Sequence, residues 1–268
     1  MSNRSITEPG EDDPACCVMQ QNGTTLIWLN EPKRRNALSQ ALRDILIPAM
    51  SAAMEDPSTR TIILAGSGGC FCAGGDLAGL RNQTPAGAHR RMRASHSLIR
   101  TIQTGPKPII AAVEGWAAGA GASLAAACDI VIAAADARFA LPFGKVGLAP
   151  DLGALHTLPA RIGIGRTRLL AITGRSFSAE EALQWGLVEE IAPAGQAVMQ
   201  AMAMAEEINK TAPIALAATK QLLARYPSSL DELLAAEENT QAVLFLTEDF
   251  EEGAKAFLEK RKPQFRGE

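Results

Sequence analysis

The chain has 268 residues, is 47% hydrophobic and 21% charged, and carries a formal net charge of −3. That length and balance suit one globular unit with a full core, and mild acidity without a dense basic run argues against nucleic acid as a partner. No apolar run reaches the roughly 20 residues of a membrane span, and the polar first 14 residues read as a loose tail rather than a signal peptide.

Cysteines at 16, 17, 70, 72 and 128 show no pairing pattern, and His89, His96 and His156 show no ligand spacing. The expectation is a cytoplasmic protein with reduced thiols packed as small hydrophobes and with no metal site.

Residues 16–20 and 25–29 are apolar runs on either side of Asn22-Gly23, which predicts a β-hairpin. A basic loop follows, with Arg34 and Arg35. Ser39 then caps a helix that ends before Asp56-Pro57. Residues 61–65, Thr-Ile-Ile-Leu-Ala, read as a buried strand. It runs into a first glycine-rich turn containing Cys70-Phe71-Cys72-Ala73-Gly74-Gly75-Asp76-Leu77. A polar loop (81–85) and an amphipathic helix (86–103) come next. The strand 107–113 then enters a second glycine-rich turn, residues 114–123, and a helix runs on to Cys128. Strands 129–133 and 137–141 precede a loop over 143–153. Asp151 opens a helix to Pro159, and helices follow at 165–173, 178–185, 195–209, 212–225, 229–247 and 249–260. Strand–turn–helix units followed by helices indicate an α/β fold with a helical tail.

Two such turns suggest a chemistry. N–H groups near Ala73 and near Ala120, the latter at a helix start, can converge on one oxygen as an oxyanion hole. The same glycines also suit tight structural turns.

These residues carry a resemblance that runs nearly end to end. Segments 30–39, 71–77, 111–130, 143–153, 178–188 and 256–261 occur in an order and at separations similar to those of the crotonase family, the enoyl-CoA hydratases and isomerases. The resemblance implies a spiral of ββα turns over 15–200 and a helical region over 201–268 that packs in a homotrimer or a hexamer. It implies an acyl-CoA substrate, with coenzyme A as part of the thioester and no prosthetic group. It also implies that Ala73 and Ala120 hold the thioester oxygen. Arg34, Arg35, Ala37, Leu38, Asp76 and Leu77 would bind the CoA portion, with Phe257 and Lys260 reaching the nucleotide, from a neighbouring subunit in one arrangement.

The hydratases' two glutamates are replaced here by Ser123 and Phe143, neither of which relays protons as a carboxylate does. Asp151 remains, and the runs 118–124 and 143–153 look like those of epoxyphenylacetyl-CoA isomerases and of single-aspartate Δ3,Δ2-enoyl-CoA isomerases. An acid/base at Asp151 inside an apolar shell of Leu141, Phe143, Leu148 and Leu152 is the leading reading, and a Pro-Asp helix cap is the plainer one. Ser123 reads as packing. A hydratase, a CoA-thioester hydrolase or dehalogenase with Asp151 as nucleophile beside His96, and a non-catalytic CoA-binding subunit are the alternatives.

Overall fold

The computed structural model describes residues 6–81 and 83–268; part of the expected tail and one position of the 81–85 loop lie outside them. Residues 6–14 are tied down: the buried Asn30 Nδ2 donates to the carbonyls of Gly10 (2.9 Å), Asp13 and Pro14, and Ile6 packs on the core.

β1 (Cys16–Gln21) and β2 (Thr24–Leu29) form the expected hairpin, with Asn22 and Gly23 at φ 50° and 78°. Two positive φ values mark a type I′ turn, whose twist matches that of the strands and which Asn-Gly favours. Ser39 accepts the Leu42 N–H at 3.0 Å and starts α1 (Gln40–Glu55). β3 (Thr61–Gly66) leads to the first glycine turn, a one-turn helix α2 (Leu77–Leu80) and α3 (Pro85–Thr104).

β4 (Ile109–Val113), β5 (Trp116–Ala118), α4 (Ala120–Ala127), β6 (Ile130–Ala134) and β7 (Arg138–Ala140) follow, then a 3-10 turn over Pro142–Val146. α5 (Ala154–Thr173) breaks at Gly163 (φ 77°, ψ 156°), where two separate helices were expected. The remainder is β8 (Ser176–Ser178), α6 (Ala179–Trp185), β9 (Glu190–Ala192), α7 (Ala197–Ile208), α8 (Pro213–Leu223), α9 (Leu230–Leu244) and α10 (Glu248–Leu258).

Two sheets result. The larger has the order β1-β2-β3-β4-β6-β9, parallel except at the hairpin; the smaller is β5-β7-β8. β3 and β4 are buried throughout, which explains their unbroken apolar runs. α4 is also buried throughout, and only a helix of Ala, Gly, Ser and Leu is slim enough to lie against the backbone of the first turn. β5, β8 and β9 have three residues each, too short to show a period, and were not expected as strands. The C-terminal helices are different: α9 buries no residue, and Leu246 and Phe257 are 87% and 83% exposed.

Candidate active site

The two glycine turns meet because there are no side chains between them. A Cβ on Gly121 would lie 2.1 Å from the Cys72 carbonyl oxygen, and one on Gly115 would lie 2.3 Å from that of Gly69. At that distance the turns exchange backbone bonds. Phe71 N–H donates to Glu114 O (2.8 Å), Cys72 N–H to Trp116 O (2.9 Å) and Ala118 N–H to Cys72 O (2.9 Å). Structural packing and close backbone approach are therefore one requirement met by the same glycines.

The loop at 30–38 braces the first turn from the other side. Asn36 is buried at φ 55°, and its Nδ2 donates to the carbonyls of Ser67 (2.8 Å) and Cys70 (2.6 Å). Leu38 N–H donates to Gly74 O at 2.7 Å. Ala73 N–H donates to Arg35 O at 2.9 Å, which corrects the expectation for this residue. Ala73 lines the cavity, but its N–H is already committed. Gly75, two residues on, also lines the cavity, and its N–H has no such bond among the described residues.

Ala120 has no such bond among the described residues. It is the first residue of α4, so its N–H has no intrahelical acceptor, and Gly119 offers no side-chain cap. A Cβ built on Gly74 would lie 3.8 Å from the Ala120 nitrogen, so the two backbones stand side by side at the cavity wall.

That cavity has a volume of about 480 Å³ and brings Ala73, Gly75, Ala120 and Asp151 together with a largely apolar lining. Phe143, Leu148 and Leu152 belong to it; Leu141 is buried but is not part of the lining. Asp151 is not the helix cap that Pro150-Asp151 suggested. α5 starts at Ala154, with Gly153 as its N-cap at φ 74°, and only the Asp151 carbonyl takes part, accepting the Ala154 N–H at 3.1 Å. The carboxyl Oδ1 is buried with no hydrogen-bond partner among the described residues. Burial pushes this carboxyl above its ordinary range, against the pull of the Arg91, His96 and Arg43 charges.

Ser123 is buried, and its Oγ donates to Gly119 O at 3.1 Å within the helix, as packing requires. Burial drives the neighbouring Cys72 thiol up to about 12, so it supplies no thiolate. His89 and His96 are exposed and do not line the cavity.

Of the residues expected at the CoA end, Leu38 and Leu77 line the cavity. Arg34 and Asp76 form an ion pair at 2.5 Å, so each is already engaged by the other. Arg35 and Ala37 lie on the bracing loop. Phe257 and Lys260 are exposed at the end of α10 and do not line the cavity.

Sequence reasoning did not single out Arg43, which lines the cavity yet is only 3% exposed. A signal existed: Arg43 falls on the helical stripe of Leu46 and Met50, where a charge is out of place. Arg91, in the short basic run 90–93, was not singled out either and is also part of the lining.

Residues 19–268 match the family model described as enoyl-CoA hydratase/isomerase. Among curated relatives, the 2,3-dehydroadipyl-CoA hydratase of Escherichia coli K12 is 36% identical over 93% of this chain and 98% of its own. The 1,2-epoxyphenylacetyl-CoA isomerase of the same organism is 36% identical over 92% and 96%. The crystal structure of an enoyl-CoA hydratase from Polaromonas sp. JS666 superposes with a TM-score of 0.90 at 37% identity, over 93% of this chain and 99% of the other. Motifs, fold and kinship agree: the chain belongs to the enoyl-CoA hydratase/isomerase family of acyl-CoA-processing enzymes.

Proposed function

We propose that the enzyme isomerises an enoyl-CoA through an enolate, with Asp151 as its single acid/base. The observation that carries this reading is a buried carboxylate oxygen without a partner among the described residues, in the same cavity as the N–H groups of Ala120 and Gly75, which are likewise free of such bonds. A thioester oxygen bound by those two donors gains negative charge when a proton leaves C2, and the start of α4 adds a favourable dipole. Asp151 takes the proton from C2 and returns it to C4 as the double bond moves into conjugation. No atom is gained or lost, so one carboxyl is enough. Its raised affinity for protons brings it closer to the working pH.

Water addition is less well supported, because Ser123 is bonded into its own helix and Phe143 is an apolar wall. Nucleophilic attack by Asp151 with help from His96 is weakened by the exposure of that histidine. The CoA portion would run past Leu38, Ala37 and Leu77, with Arg34 released from Asp76 to meet phosphate alongside Arg35. The unburied apolar residues of α9 and α10 fit a homotrimer or hexamer, in which Phe257 and Lys260 reach a neighbour's nucleotide. A cytoplasmic location fits five free cysteines.

The test is a panel of 2-enoyl- and 3-enoyl-CoA thioesters assayed side by side. The 3-enoyl substrates should gain the absorbance of a conjugated thioester, with little hydration of the 2-enoyl set. Preferred hydration of 2-enoyl-CoA would reject the isomerase reading.

A further inference from the structure

Two guanidinium groups stand in the wall of the acyl cavity, and the proposed chemistry leaves both unused. Arg43 extends from α1 and is almost fully buried. It donates from Nη1 to Leu38 O at 2.6 Å and from Nη2 to Gln40 Oε1 at 2.7 Å, two of its five N–H donors, and neither acceptor is charged. Arg91, on α3, is half-buried and makes no hydrogen bond or ion pair among the described residues. The two arginines lie close enough for the Arg91 charge to depress the proton affinity of Arg43, on top of the effect of burial. Both also line the adjoining polar cavity of about 500 Å³ between α1 and α3, so they form the partition between an apolar chamber and a polar one.

Such an arrangement is costly without an anion. Desolvated like charges repel, and a guanidinium without a hydrogen-bond acceptor loses hydration that attraction to more distant carboxylates repays only in part. Asp151 and Asp76 attract Arg91 through charge alone, and neither gives it a hydrogen bond or ion pair among the described residues. Asp76 is paired with Arg34, and the Asp151 Oδ1 has no hydrogen-bond partner among the described residues. An incoming carboxylate meets the need, because its two oxygens accept the forked donors of one guanidinium and share the field of the second.

We infer that the acyl cavity selects CoA thioesters whose acyl chain ends in a carboxylate, with Arg91 as the specificity-determining residue and Arg43 as the buried charge behind it. The inference rests on the reading that this cavity holds the acyl group of a CoA thioester. It adds the substrate class: dicarboxylic rather than simple alkyl acyl groups.

The experiment measures binding of two saturated, unreactive thioesters of equal length, hexanoyl-CoA and adipyl-CoA, by calorimetry on the intact protein. In the unmodified protein adipyl-CoA should bind at least about tenfold tighter. In Arg91→Leu the ratio should fall towards one, and Arg91→Lys should restore part of it, which also controls for folding. Equal affinities in the unmodified protein, or a preference that survives Arg91→Leu, would overturn the inference. If Arg91 instead met a CoA phosphate, Arg91→Leu would weaken both ligands equally and leave the ratio unchanged, which also overturns it. If neither thioester bound, the underlying CoA reading would fail and the inference with it.

Discussion

The first glycine turn is held from outside, and the second is held from within. Residues 67–75 depend on a distant upstream loop through Asn36, Arg35 and Leu38. The second turn feeds directly into α4, whose eight residues are all buried. One N–H of the proposed oxyanion hole therefore comes from a braced loop and the other from the fixed start of a helix. A pair of donors built this way needs two kinds of support, a hydrogen-bonded staple for the loop and close steric fit for the helix.

The sharpest way to break the comparison is to separate the turns. Gly121→Val puts a branched side chain where even a Cβ would sit 2.1 Å from the Cys72 carbonyl oxygen. It should cost more than about 3 kcal/mol in urea denaturation. Gly69→Ala, in the first turn, meets no atom within 4 Å and suffers only from its φ of 65°, so it should cost about 1 kcal/mol. Similar losses at the two sites would remove the distinction.

Next in size is the loss of a single donor. Ala120 occupies the first position of α4, where a helix tolerates proline, so Ala120→Pro deletes its N–H while keeping the helix start. kcat should fall by about 10²–10³, with a smaller change in KM. An unchanged kcat would mean that this N–H holds no developing charge.

The smallest effect checks that Asp151 is a desolvated carboxylate and not a cap, as the start of α5 at Gly153-Ala154 requires. Asn caps helices as well as Asp does, so a cap would leave stability unchanged in Asp151→Asn. A desolvated carboxylate behaves differently. Its folded-state affinity for protons is raised, so the stability it contributes is present at low pH and is lost as pH rises through the folded value. Asp151→Asn should therefore be more stable by about 1 kcal/mol at pH 7, and the gain should vanish on acidification below the ordinary aspartate range near 4, followed by urea titration at each pH. The same shift moves the acid limb of kcat/KM above that range, because the ionised form is the base.

Much of this architecture was legible because it is local. Asn22-Gly23 specifies its hairpin, Ser39 its helix, and the apolar runs of β3 and β4 their burial. The candidate site was legible as two turns and an acid, but not atom by atom. Which N–H in the first turn stays free depends on Arg35, a distant contact that claims Ala73 and leaves Gly75. Asp151 looked like a cap because Pro-Asp commonly opens helices, and only the start of α5 at Gly153-Ala154 removes that role. Arg91 sits in a run of surface-like charge, and its place in the cavity wall depends on how α3 packs beside α1.

The central claim is that Asp151 moves the proton while the two backbone N–H groups hold the oxygen. The most direct measurement is the rate at which Asp151→Asn converts a 3-enoyl-CoA to its conjugated isomer under saturating substrate. A loss of about 10³-fold or more, with thioester binding retained, is the expected result; a rate within about tenfold of the unmodified enzyme would contradict it.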